Sequence, residues 1–493
     1  MSIKIRYKDV AVGADKDASL TTSAHTSFSN VQSVPYGVES PTLATCELNG
    51  WGLTPETRVL DAEKVGFWSN ALSHTDCIFY NVPQIIIEFT QQYTATGLSI
   101  QFDINGGDYC KKIGVAWYRE GSIIENITYY PESPFFVLNK TVVAFDKIRI
   151  QFYETHLPRK RCKVDYIGIG VVRDFSTKEI KSAKSIHEVD LISSTVPINV
   201  HDASIHSNEE VDYIFQKKQP VEVYDNNSLI GVYYIDKGER TGRLDFSFSC
   251  KDKIGLLDLV QYNGGLWLTD TPLTTVLTDI FGDISIFEID SAYASSFLRG
   301  FIPAMKQREA LQHIAFVLGA VVDTSGSDKI KIFPSPVMNV TEEISATQTY
   351  TGGKIVTSDT VTAVEITAFE IVDERPGDKQ SSIEFEGVKY LCMSYVYTDK
   401  NPVTVTSDPE NIKKFDKCYL VNTSNAQSLV AKVMNYYRLR EKYSFKHVMD
   451  GQEVAKPYKV TLPWDGTANG VITKMTVTTS NITVSDTEML LNG

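Results

Sequence analysis

Between residues 308 and 334 the spacing of apolar positions changes period. Ala310, Leu311, Ile314, Ala315 and Leu318 recur at three- and four-residue intervals, which puts them on one face of a helix. Past Gly319, the runs Ala320-Val321-Val322-Asp323 and Lys329-Ile330-Lys331-Ile332-Phe333 read as two strands. The polar turn Ser325-Gly326-Ser327-Asp328 divides them. The pattern predicts a helix, strand, turn, strand unit whose apolar helical face belongs to a core.

Elsewhere the period of two dominates. From about 36 to 172, short runs at 83–89, 97–102, 113–118, 142–145, 147–152 and 164–169 follow one another with no helical pattern. Several alternate apolar with polar, as half-buried strands must. Short strands divided by polar turns predict a β-sandwich or jelly roll. A second β-rich block covers about 179–259. It includes a hairpin of 221–224 with 229–235 around Asp225-Asn226-Asn227-Ser228, and an alternating strand at 244–250. The stretch 258–281 reads as helical in part, with Thr271-Pro272 as a helix start. A third β block begins near Val337 and includes a strand at 363–371. A helix is predicted at 425–442, with the stripe Ala426, Leu429, Val430, Val433 and Tyr437 and a capping-box form at Ser424-Asn425-Ala426-Gln427. Strands return at 458–491 around the turn at Asp465-Gly466.

Length and composition fit this picture. At 493 residues the chain is long enough for several cores, and 42% apolar with 22% charged residues is an ordinary globular composition. The 25 Tyr and 23 Phe favour strands. A net charge of −13 argues against specific nucleic-acid binding, which needs concentrated Lys and Arg. The cluster Arg159-Lys160-Arg161 reads as a solvated loop. No run approaches the ~20 apolar residues of a membrane span. Met1-Ser2-Ile3-Lys4 leads into polar sequence rather than a secretory apolar run, so synthesis in a cytoplasm is expected.

Catalytic and metal chemistry finds little footing. The seven cysteines form no Cys-x-x-Cys pair and read as isolated buried thiols. The eight histidines show no metal spacing on a helix, and His201 and His206 make a weak pair. Nucleophile elbow, Walker loop and dinucleotide fingerprint are all missing. Glycoside hydrolysis needs two carboxyls across a cleft. The pairs Glu209-Glu210, Glu342-Glu343 and Asp373-Glu374 are sequence neighbours, which in a strand point to opposite faces. No catalytic residue, cofactor site or metal site is predicted.

Two stretches carry a resemblance. From about Lys181 onward, residues 181–197, Gln219-Pro220-Val221-Glu222-Val223-Tyr224, 229–234, Cys250-Lys251-Asp252-Lys253-Ile254-Gly255-Leu256-Leu257-Asp258 and the 308–334 unit resemble, in order and spacing, the baseplate hub or tail-tip proteins of phages and contractile injection particles. The resemblance implies a homotrimeric ring of two β-barrels joining the tail tube to the central spike, with no catalytic residues. More weakly, Gly66-Phe67-Trp68-Ser69-Asn70, the strand at 83–89 and Phe145-Asp146-Lys147-Ile148-Arg149-Ile150 resemble discoidin-type, galactose-binding-like sandwiches. That likeness implies sugar contact by Trp51 and Trp68, which read equally as core aromatics, and a disulfide between Cys46 and Cys162.

Together these readings predict a mainly β, multidomain protein: a β-sandwich or jelly roll plus two hub-type β-barrels with helical and α+β insertions. The expected division is an N-terminal arm at 1–35, the sandwich at 36–172, a first barrel at 173–258, an insertion at 259–336 and a second barrel at 337–493. The expected role is a structural hub of a phage tail baseplate or tail-like bacteriocin, made in the host cytoplasm and released by lysis. Its expected partners are the tube, the spike, other baseplate proteins and the tape-measure protein. A carbohydrate-binding tail adhesin and a cell-wall hydrolase are the alternatives.

Overall fold

An alternating sequence makes a strand wherever one of its faces can be buried, and this chain does so over most of its length. The computed structural model describes residues 3–9, 13–26, 66–103, 107–208, 218–226, 228–336, 340, 342–378, 380–402, 409–464, 466–479 and 482–492. The protein is mainly β, with several sheets and few helices. It divides into two compact units: residues 1–5, 175–208 and 221–493 in one, residues 6–174 and 209–220 in the other.

The smaller unit is built on a seven-stranded sheet. Two of its strands are long. Gln84–Phe102 and Phe135–Thr155 pair with each other over most of their length, with register breaks between Glu88 and Leu98. The runs predicted separately at 83–89 and 97–102 are therefore one strand, as are those at 142–145 and 147–152. Arg161–Ile169 and Cys110–Arg119 flank them. One apolar cluster fills the interior, including Ile85, Ile100, Val115, Trp117, Ile150 and Phe152.

The larger unit contains a sheet in which Ile180–Glu188 lies between Val200–His206 and Thr467–Thr479, antiparallel to both. Strands from the second and third β-rich blocks thus share one sheet. The predicted hairpin forms as Pro220–Asp225 and Ser228–Arg240, with Asp245–Lys251 next in order. Four further strands make a smaller sheet, in which Ala363–Val372 pairs antiparallel with Val388–Lys400 and parallel with Ile412–Phe415.

Helices occupy the core of this unit. Gln307–Leu318 buries Ala310, Leu311, Ile314 and Ala315 completely, as its apolar stripe requires. Leu273–Phe281 and Ala426–Arg438 contribute Val276, Leu277, Leu429, Val430 and Val433 to the same cluster. The first of these begins directly after Pro272, as expected, but 265–272 ahead of it is strand. The second ends at Arg438, because Glu441–Val448 is a strand paired with Thr483–Leu491. Its predicted capping box does not form: the Asn425 side chain accepts from the Asn422 amide instead of capping the helix.

Candidate functional site

The segments that carry the hub resemblance are far apart in sequence and meet in one place. Gln307–Leu318 ends at Gly319 in a left-handed conformation (φ 60°), which only a residue without a Cβ adopts at little cost. Ala320–Asp323 then pairs with Ile330–Pro334. At the turn between them the Asp323 carboxylate accepts from the Ser325 amide at 3.0 Å and from its hydroxyl at 2.8 Å. The helix is tied at its other end. Glu309 accepts from the Lys306 amide, Arg308 pairs with Asp258 at 2.7 Å, and the Arg308 guanidinium also donates to the Val196 carbonyl at 3.1 Å.

Asp252 joins three segments. Its Oδ1 caps the short helix Lys253–Leu257 by accepting from the Gly255 amide at 2.9 Å. Its Oδ2 accepts from the Thr324 hydroxyl at 2.7 Å, and that hydroxyl in turn accepts from the Asn199 side-chain amide at 3.1 Å. The Asp252 amide donates to the Asn199 carbonyl at 2.9 Å. Burial pushes the Asp252 carboxyl up to about 7, against the pull of these donors.

A second chain of buried polar groups runs alongside. The Ser325 hydroxyl is committed to Asp323, so His187 Nδ1, 2.9 Å from that hydroxyl, must be the donor. His187 Nε2 is then free to accept from the Tyr233 hydroxyl at 3.0 Å. This arrangement fixes a neutral imidazole. Burial lowers His187 to about 4, with Asp323 acting in the opposite sense. His201 stacks on Tyr233 with ring centroids 5.1 Å apart and sits 2.8 Å from the Ser185 hydroxyl. Burial, then the neighbouring His187, lowers His201 to about 3. His206, weighed with His201 as a pair, instead lies at the surface beside Asp245 at 2.8 Å.

His187 and Ser325 border a recess of about 200 Å³, but the network's chemistry is positional: each donor and acceptor locks one segment against another. Sequence reading missed it. Ser325 and Thr324 sit in what reads as a solvated turn, yet they are 6% and 3% exposed.

In the smaller unit, Trp68 lies on the strand Phe67–Leu72 and is 2% exposed, with the Lys163 ammonium 4.4 Å from its ring centroid. Trp51 and Cys46 fall outside the described residues. Cys162 is fully buried; burial and the adjacent Cys110 raise its thiol well above the usual range. Lys160 is a correction to the expected solvated loop. It is 3% exposed and its ammonium meets Asp108 at 3.1 Å. Lys163 shares that carboxylate at 2.9 Å and reaches Asp103 at 3.3 Å. A buried cation is tolerated only when so paired. Arg159, the first residue of the run, is exposed in a turn as expected, so it is Lys160 that departs from the solvated reading.

The loops of this unit also carry exposed aromatics. The Tyr80 side chain is 72% exposed, its ring stacks on His74 at 4.0 Å, and its hydroxyl donates to Asp76 at 3.2 Å.

No family model matches the chain. No curated protein matches it either. Among solved structures it is similar to a tail protein from Neisseria meningitidis MC58, at 13% identity and a TM-score of 0.46, over 65% of this chain and 94% of that one. It is similar to the 43 kDa tail protein of prophage MuSo2 from Shewanella oneidensis, at 8% identity and a TM-score of 0.44, over 64% of this chain and 95% of that one. A prophage tail protein, gp18, from Listeria monocytogenes EGD-e matches at 10% identity and a TM-score of 0.41, over 65% of this chain and 91% of that one. These three are tail proteins by description, two of them from prophages.

Proposed function

We propose that this chain is a non-enzymatic structural hub of a phage or phage-like tail baseplate, acting as a homotrimeric ring between tail tube and central spike. One observation carries the reading. The stretches that resemble hub proteins, 181–197, 250–258 and 308–334, pack together through the contacts of His187 with Ser325, Arg308 with Val196 and Thr324 with Asp252. Residues recognised separately along the chain belong to one scaffold, as they would if the scaffold were what the resemblance reports. Strands from both β-rich blocks lie in that scaffold's sheet, in keeping with a ring built from two similar β-modules. The mechanism is geometric: loops and strand edges of a stiff β body offer fixed surfaces to the subunits above and below. Light scattering after size exclusion is expected to give three copies per particle, and tail particles lacking the chain are expected to lack the spike. A stable monomer that tails assemble without would overturn the reading.

A second reading concerns the smaller unit, as a discoidin-like module contacting cell-wall carbohydrate. Trp51 and Trp68 are the contacts implied by the resemblance, but Trp68 is 2% exposed with Lys163 over its ring and does not present a face to a sugar. The exposed ring of Tyr80, with Asp76 and His74 beside it, offers the flat apolar face and polar neighbours that a sugar ring requires. Glycan-array binding by the full chain that weakens in Trp51→Ala or Tyr80→Ala would support it. Equal binding by both variants and the parent would remove it.

A further inference from the structure

Beside the turn that joins Pro220–Asp225 to Ser228–Arg240 is a recess of about 200 Å³. Its lining includes the apolar side chains Leu229, Ile230, Met475 and Val477. It also includes the carboxylates Asp225, Asp450 and Glu453, and among the described lining residues no Lys or Arg. Two of the carboxylates have partners. Glu453 pairs with Lys456 at 3.0 Å, and Asp450 accepts from the Gln348 amide at 3.4 Å. Asp225 differs. It is 8% exposed, and its Oδ1 is buried without a hydrogen-bond partner. Burial raises its carboxyl above the usual range; the charge of the amino terminus opposes this and the Asp450 carboxylate adds to it.

A buried carboxylate oxygen with no donor is costly, and what complements it is a cation. Size and lining select the kind. The recess is several times the ~30 Å³ share of one water, and among the described residues no three His, Cys, Asp or Glu side chains are grouped to hold a metal ion. Apolar walls suit an aliphatic stem with the charge at its tip.

We propose that this recess receives a lysine or arginine side chain of a neighbouring protein chain, its charged head on Asp225 and its stem against Leu229, Ile230, Met475 and Val477. That the donor is a neighbouring chain rests on the assembly reading. That the recess prefers an alkyl cation does not, so the two can fail separately.

The test uses the full chain titrated with butylguanidine, with pentanol as the neutral analogue and calcium as the bare ion, followed by calorimetry and thermal melting. Butylguanidine is expected to bind saturably and raise the melting temperature, while pentanol and calcium do neither. Asp225→Asn, folded by circular dichroism, is expected to lose about tenfold or more in affinity, as truncating one partner of a buried charge pair does. Ser228→Lys, at the exposed rim, supplies a competing cation within the chain and is expected to weaken butylguanidine binding with Asp225 intact. Binding of pentanol as strong as that of butylguanidine would overturn the proposal. So would binding of calcium alone, no binding at all, or binding unchanged in both variants.

Discussion

The Thr324 hydroxyl donates to Asp252 Oδ2 at 2.7 Å, across 72 residues of sequence, in a site where neither side chain reaches solvent. That contact joins the turn of the helix–strand unit to the cap of Lys253–Leu257. Asp252→Ala removes the cap and leaves Thr324 without its acceptor. A loss of about 2–4 kcal/mol is expected from a cap and a buried hydrogen bond together. Urea denaturation measures it, and a loss under 1 kcal/mol would mean that the network does not hold these segments.

Asp252 also sets a pH dependence. Its folded value is raised to about 7 from an ordinary carboxylate value near 4. The folded state therefore keeps a proton that the unfolded state releases. Its contribution is fully present below about pH 4 and is lost as pH rises through about 7. Asp252→Asn keeps an acceptor for Thr324 but cannot titrate. Its stability is expected to fall more steeply than the parent's from pH 7 to 4, because the histidines then act without this opposing contribution. Denaturation curves across that range decide the matter; parallel profiles would rule the assignment out.

The histidines act in the opposite sense. His187 and His201 have folded values of about 4 and 3, below the ordinary 6.5. The unfolded state then binds more protons below pH 6.5, so their contribution is present above that pH and falls as pH drops toward 3–4. Two such groups outweigh the single Asp252 over the same window. Net destabilisation on acidification from pH 6.5 is expected, amounting to a few kcal/mol by pH 4. His201→Gln should shallow this acid limb, read by guanidinium denaturation at several pH values. An acid limb as steep as the parent's would show that His201 is not buried neutral.

The helix of this unit is legible because its evidence is local. Ala310, Leu311, Ile314 and Ala315 recur at the helical period, and each is fully buried in the fold. Ser325 is not legible, because a Ser-Gly-Ser-Asp turn has the composition of a solvated one. Its burial comes from His187, 138 residues away. The same holds for Lys160 and Lys163, whose partner Asp108 lies more than 50 residues earlier. Strand ends fail for another reason. The runs at 83–89 and 97–102 read as separate strands, yet Gln84–Phe102 is continuous, because the strand can shift register against Phe135–Thr155 instead of stopping. Polar runs mark where one face is wet, not where the chain turns.

The buried face of Gln307–Leu318 yields a direct prediction. Leu311 and Ile314 are fully buried among the helices and strands of the larger core. Leu311→Ala is expected to cost about 2–5 kcal/mol through lost burial and the cavity left behind. Leu311→Asp or Ile314→Asp buries an unpaired charge and is expected to prevent folding. Soluble expression and near-ultraviolet circular dichroism check this. Native spectra from either Asp variant would mean that the helix is not packed on that face.

Gly300 sits where a strand passes close to another segment of backbone. Its φ is 140°, and a Cβ there would lie 2.1 Å from the Tyr419 carbonyl oxygen. Both the conformation and the space exclude a side chain, so even a methyl group forces Phe297–Ile302 away from the segment at 419–420. The displacement also strains the bond from the Phe301 amide to the Tyr419 carbonyl, 3.3 Å long. Gly300→Ala is therefore expected to destabilise by about 1–3 kcal/mol, the usual range for overpacking a filled interior. Gly107→Ala is the matched control: it has a positive φ of 69° but nothing within 4 Å of the added carbon, so it bears conformational strain alone. Thermal melts of the pair separate the two causes. If Gly300→Ala melts no lower than Gly107→Ala, close backbone approach is not what requires glycine at position 300.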